Sequence, residues 1–213
     1  MKTDTAVDIW IPDGYLELPL SDIEQKTGRA ATLFDTLPPS SLKSGFQAIV
    51  PAVTALLTQL AQRDTRYCGI GRFLSSSGAV VTSCLTVCVY ETGGEKLNPR
   101  LILKNLVESR VSADESTGQV ELLEVDGRPV LFTEQTTELP TPELPGLPYA
   151  GTTTSTYQLE AVVPYSDGSA LAAIELSTPA IEAGPEFRKM IADMARSITF
   201  RQELPPSTST LDI

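Results

Sequence analysis

The sequence predicts an α+β domain, an antiparallel sheet built from hairpins and covered by helices. Two observations carry this. Pairs of β-branched runs meet at short turn signals in three places, at 75–78, at Asp126-Gly127 and at Asp167-Gly168. Stretches of helical period separate or follow these hairpins, a pattern that fits an antiparallel sheet and not a doubly wound parallel one. At 213 residues with 41% hydrophobic and 20% charged side chains, the chain supports a sizeable core and reads as one domain over 1–200. The remainder, 201–213 (RQELPPSTSTLDI), has the composition of a disordered tail.

Taken in order, DIWIP and GYLELPL are short apolar pieces broken by Pro12, Gly14 and Pro19, and read as extended edge structure or a strand. Ser21 and Glu24 have capping-box spacing, so a short helix is expected from Ser21 until Gly28 weakens it. After Pro38 and Pro39, Leu42, Phe46, Ile49, Val53, Leu56 and Leu60 recur at three and four and make one helical face. This predicts a helix over 40–63 with Pro51 as a point of kinking. RYCGIGRFLS and AVVTSCLTVCVYE then form the first hairpin. The fragment GIGRFLSSSG lacks the spacing and the following helix of a phosphate-binding loop, so Gly69 and Gly71 read as sites of close packing or a bulge.

Asn98 caps a helix with Pro99 at its first position, and Leu101, Leu103, Leu106 and Val107 supply its apolar residues over 98–110. QVELLEVDG with RPVLFTEQT, and TSTYQLEAVVPY with SALAAIELST, are the second and third hairpins. A closing helix is expected over 185–198, with Phe187, Met190, Ile191, Met194 and Ile198 as its buried stripe.

Charge and composition exclude several functions. A net charge of −11 with no cluster of Lys and Arg argues against nucleic acid as a partner. No run approaches the roughly 20 apolar residues of a membrane span, and Asp4 and Asp8 interrupt any signal-peptide core, so a cytoplasmic protein without membrane insertion is expected. The chain has no histidine, which removes the usual general base and every Ser-His or Cys-His pair. No cofactor or metal is expected, and catalysis by carboxylates, Lys or metal-bound water stays open.

Candidate residues have ordinary structural readings. Glu175 alternates with Ile174 and Leu176 in a strand, so it faces the solvated or helix-contacting side of the sheet. Glu186 follows Gly184-Pro185 in the first turn of the closing helix, where a carboxylate meets the helix dipole. Glu121, Glu124 and Asp126, with Asp114 and Glu115 just before, lack the alternating ligand spacing of a calcium loop and read as an acidic rim. Trp10, Tyr15, Tyr149 and Tyr165 lie near turns, where exposed rings mark interfaces. The segment holding Pro140, Pro142, Pro145, Pro148 and Tyr149 is stiff and extended, either a partner-binding strip or a connection crossing one end of the sheet.

The hairpin ending in ELSTP and the amphipathic helix ending in ARSITF resemble the last part of the PsbP-like α/β/α sandwich superfamily, especially its uncharacterised actinobacterial proteins. The GRPVLF hairpin is similar as well. The resemblance implies an antiparallel sheet covered by helices and roles in binding and assembly, with no catalytic residue to carry over. Some similar proteins are associated with type VII secretion, which implies an accessory or chaperone role. The leading expectation is a non-enzymatic binding or accessory protein acting through contacts with a protein partner. A carboxylate-dependent hydrolase or transferase is the rival.

Cys84 and Cys88 lie four apart on one strand, roughly 13 Å at about 3.3 Å per residue, and do not bridge each other. A Cys68–Cys84 pair across the first hairpin is geometrically open, but three buried free thiols are the expected state. Thiol titration of the native protein should therefore be slow, and unfolding without reductant should release three reactive groups; fewer than three would reveal a bridge.

Overall fold

The computed structural model describes residues 5–36, 41–93, 96–112, 118–140 and 153–202. Two short strands, β1 (Thr5–Asp8) and β2 (Tyr15–Glu17), precede helices α1 (Ile23–Asp35) and α2 (Ser41–Gln62). The hairpin of β3 (Thr65–Leu74) and β4 (Val80–Glu91) leads into α3 (Pro99–Ser112). Strands β5 (Gln119–Val125), β6 (Arg128–Pro140), β7 (Thr153–Pro164) and β8 (Ala170–Thr178) follow. A 3₁₀ segment (Ile181–Phe187), α4 (Arg188–Ser197) and β9 (Thr199–Gln202) complete the described chain.

Among the described residues, seven strands form one antiparallel sheet in the order β2-β3-β4-β8-β7-β6-β5, and β1 pairs with β9 in a separate ribbon. The α+β class with a hairpin-built, helix-covered sheet is as the sequence predicts. One face carries the main core: Leu85, Tyr157, Leu159, Ala161, Ile174 and Leu176 pack against Ile191, Met194, Ala195 and Ile198 of α4 and its flanks. The β1–β9 ribbon adds Val7 and Phe200 to this side. On the opposite face α3 seats Leu103 on Leu131, Val162 and Ala173.

Turn chemistry differs between hairpins that look alike in sequence. Asp126 (φ 50°) and Gly127 (φ 76°) are both left-handed, as a two-residue type I′ turn requires. At the third hairpin only Gly168 has positive φ (73°), and Gly168 N–H donates to Tyr165 O at 2.9 Å while Tyr165 N–H donates to Ala170 O at 2.8 Å. That is a four-residue loop, not a second copy of the Asp-Gly turn. Asp167 Oδ1 completes it by accepting from Ser169 N–H at 3.0 Å and Ser169 Oγ at 2.6 Å.

Helix boundaries bring further corrections. The first helix starts after Ser21 and runs past Gly28 to Asp35; Asp22 is left-handed at its N-cap with no side-chain cap bond, so the Ser21/Glu24 box does not form. The expected helix around Pro51 is present, but its inward stripe is rotated. Leu57 is fully buried, whereas of the anticipated face Val53 and Leu60 are half-buried, Ile49 and Leu56 are exposed, and the side chains of Leu42 and Phe46 lie outside those described. Asn98 caps α3 as expected, its Oδ1 accepting from Arg100 N–H at 2.9 Å.

The closing helix begins at Arg188, three residues later than expected, because 181–187 winds as a 3₁₀ segment. Proline is tolerated at a first helical position, but here Pro185 is inside the 3₁₀ turn, and its carbonyl accepts from Arg188 N–H in the three-residue pattern that precedes α4. The first two residues of the anticipated tail, Arg201 and Gln202, are in β9, paired with Ala6 and Thr5, and 203–213 lie outside the described residues. Pro140 ends β6 opposite Thr153, while Pro142, Pro145, Pro148 and Tyr149 also lie outside them. Cys68, Cys84 and Cys88 are free, and register explains why Cys68 and Cys84 do not oppose each other: Cys68 faces Thr86 and Cys84 faces Ile70.

Gly184 is where the 3₁₀ segment touches the sheet. A Cβ placed there would lie 2.3 Å from Cγ of the buried Tyr157 ring, so only glycine permits this approach. Gly184→Ala should lower stability by about 1–3 kcal/mol through overpacking, read as a shifted urea midpoint with the slope unchanged.

Candidate functional site

The face of the sheet under α2 and α3 is built in cross-strand rows, and successive rows change character. Leu131, Val162 and Ala173 form an apolar row beneath α3. The next row reads Thr133, Glu160, Glu175, Thr86 and Cys68, from β6 across to β3. The row after it reads Gln135, Gln158, Ser177, Cys84, Ile70 and Leu16, ending on the edge strand β2. A groove of about 580 Å³ lies over these two rows, with Leu56 and Leu60 of α2 on one wall and Arg110, Val120 and Leu139 among its other lining residues.

Glu160 and Glu175 are directly opposite on β7 and β8, a placement that is unfavourable for like charges unless a cation intervenes. Arg110, in the last turns of α3, is that cation for Glu160: its Nη2 donates to Oε1 at 2.9 Å and its Nη1 to the other carboxylate oxygen, and Nη1 also reaches Thr133 Oγ1 at 3.3 Å. Both partners are largely buried, so the pair is a two-point, charge-assisted lock between α3 and the sheet. Glu175 is left differently. Burial first, and the facing Glu160 second, raise its carboxyl above the ordinary glutamate range, against the opposing pull of Arg110, Thr86 and Arg63. Its side chain keeps contact with solvent through the mouth of the groove, which moderates the effect.

Cys84 also lines this groove and is half-buried, so of the three thiols it is the one a reagent meets first; Cys68 and Cys88 are buried. The Cys68 thiol is engaged with Cys84 and buried, which holds it protonated. Among the described residues no group of three or more Cys, Asp or Glu is placed to hold a metal ion.

The other residues read from sequence do not converge. Glu186 is in the 3₁₀ segment and not in the first turn of an α-helix, and in place of a helix dipole its carboxylate clamps the β3–β4 turn. It accepts from Ser76 N–H at 3.0 Å and Ser76 Oγ at 2.7 Å. Glu124 pairs with Arg100 and Asp126 with Arg196, while Glu121 accepts from Gln119, so this acidic rim is a set of separate surface contacts. Asp114, Glu115 and Tyr149 lie outside the described residues. Trp10 is exposed, whereas Tyr15 is half-buried against Phe73 with its hydroxyl 2.9 Å from Ser83 Oγ, and Tyr165 is half-buried against Phe200.

Sequence reasoning reached Glu175 but missed Glu160 and Arg110. Part of the signal was present. Tyr165 and Ala170 close the third hairpin, and counting equally outward from them puts Glu160 opposite Glu175. Arg110 had no such signal, since its reach depends on how α3 lies on the sheet. A scan against protein-family models finds no match for the chain, and a search among curated proteins finds none. The PsbP-like resemblance gains no support from either.

The two carboxylates should respond oppositely to neutralisation. Glu160→Gln strands the Arg110 guanidinium and should cost about 1.5–3 kcal/mol, the range for hydrogen bonds to charged groups. Glu175→Gln removes a like-charge cross-strand contact and should stabilise by about 0.2–1 kcal/mol at neutral pH. Because the folded-state pKa of Glu175 is raised, its effect on stability is absent below the ordinary glutamate range, and stability falls as pH rises through the raised value; the Gln variant should lack that slope. Urea unfolding at pH 4 and pH 7 checks both signs.

Proposed function

We propose that this is a non-enzymatic binding protein that docks a protein partner on the sheet face under α2. One observation carries the reading: this face is uncovered towards β2, β3 and the start of β4, and large aliphatic side chains stand there in cross-strand pairs. Leu16 (72% exposed) is opposite Ile70 (42%), and Leu74 (75%) is opposite Val80 (57%). Scattered exposed leucines are ordinary, but here two exposed aliphatic pairs stand on one sheet face with the polar pair Arg72 and Thr82 between them, a mixed surface of the kind that protein contacts use. Exposed Leu56 of α2 borders the same side. Pro140, first of the prolines read as a partner-binding strip, follows Leu139 on the groove wall.

An accessory role of the kind implied by the PsbP-like resemblance, including one in type VII secretion, is compatible with such a surface. A carboxylate-dependent hydrolase or transferase is the second reading, favoured by the opposed Glu160 and Glu175 in the groove and the raised pKa of Glu175. Against it, Arg110 neutralises Glu160, and the groove offers no histidine as a partner for Cys84.

The double variant Leu16→Lys/Leu74→Lys changes only exposed side chains and should leave stability within about 0.5 kcal/mol. Affinity capture from the native cell, followed by mass spectrometry, should recover a partner with the wild type that is lost with this variant. A turnover by the purified protein that Glu175→Gln abolishes would replace the docking reading with the enzymatic one.

A further inference from the structure

Resting on the reading of this face as a protein-docking surface, we infer that the groove receives an arginine or lysine side chain of the docked segment, which ion-pairs with Glu175 between flanking aliphatic contacts. The argument is one of charge and shape. Arg110 grips Glu160 in a two-point contact, and among the described residues Glu175 forms no ion pair. The groove therefore presents one carboxylate held in no ion pair among the described residues, on the lining of a cavity of about 580 Å³ and open to solvent. A carboxylate partly removed from water and facing a second one gains most from a cation that enters with its own donors.

The surroundings suit the stem as well as the charged head of such a residue. Leu56 and Leu60 offer apolar wall to the methylenes of a long basic side chain, which packs its stem on apolar surface while its charge finds a partner. Thr86 and Ser177 place hydroxyl oxygens beside Glu175 as further acceptors for guanidinium or ammonium donors. The polar row of the groove continues in register through Cys84 to Ile70 and Leu16, so an aliphatic residue of the same segment has an apolar seat within the same face. The net charge of −11 draws a cationic segment towards the molecule before contact.

Isothermal titration of the full chain with the pentapeptide acetyl-Leu-Leu-Arg-Leu-Leu-amide, and with its citrulline counterpart, tests this. Citrulline keeps the shape of arginine and loses the charge. The arginine peptide should bind at least tenfold more tightly than the citrulline peptide. Glu175→Gln should bring the two to the same affinity with no loss of stability, and Glu182→Gln, exposed in the 3₁₀ segment, should keep the full difference. Equal binding of both peptides to the wild type, no binding of either, or discrimination that survives Glu175→Gln overturns the inference. Agmatine binding as tightly as the arginine peptide also overturns it, in favour of a small cation. If the peptides fail to discriminate while Leu16→Lys/Leu74→Lys still loses its cellular partner, the basic-residue inference falls and the docking reading stands.

Discussion

The antiparallel register of β7 against β8 is the constraint on which the rest of the molecule depends. These two strands lie at the middle of the sheet, and each residue on them belongs to one of two unlike layers. Ala161 with Ile174, and Leu159 with Leu176, face the α4 core, while Glu160 with Glu175, and Gln158 with Ser177, face the groove. A slip of one residue in either strand would put a carboxylate against Met194 and Ile191 and an isoleucine or leucine into the groove. The four-residue loop 166–169, closed by Tyr165 and Ala170, holds that register with two backbone hydrogen bonds, and Asp167 braces it from within. Core and groove are thus two readings of one alternation.

Much of the architecture was legible for this reason. Alternation of period two reports which side of a sheet a residue takes, and turn residues report where it reverses, so three hairpins were readable without long-range information. The capping of α3 by Asn98 was legible because it is local, a single side chain reaching two residues along the chain. What failed was what depends on a partner. The stripe of α2 follows from spacing alone, yet the side that turns inward is decided by what the helix packs against, and Leu57, outside that stripe, is the residue fully buried while Leu56 stays exposed. The Ser21/Glu24 spacing was a chance match, since the chain enters α1 through a left-handed Asp22 that leaves no place for the box.

The site was legible only in halves. Glu175 stood out as a carboxylate in an apolar strand, and its place on the face opposite Ile174 and Leu176, the solvated or helix-contacting side, follows from alternation. Its meaning changes once Glu160 and Arg110 are known, because a carboxylate whose neighbour has taken the local cation is in a different electrostatic state from one merely in water. Glu186 shows the converse. Its structural role was anticipated, but the partner is the tip of a distant turn and not a helix dipole, a contact between residues 110 apart that no local pattern encodes.

The ribbon of β1 and β9 carries a mechanical consequence. Thr5 is opposite Gln202, and Asp8 is opposite Thr199, so the outermost pair joins the two ends of the described chain. Traction applied through both ends would load this ribbon by peeling, one hydrogen-bonded pair at a time, and not by shearing all four pairs together. The ribbon would yield first, uncovering Val7 and Phe200 at the base of the α4 core, while the seven-stranded sheet behind it still held its register. The molecule is in this sense graded in strength, softest where its ends meet and firmest across the strands that form the groove.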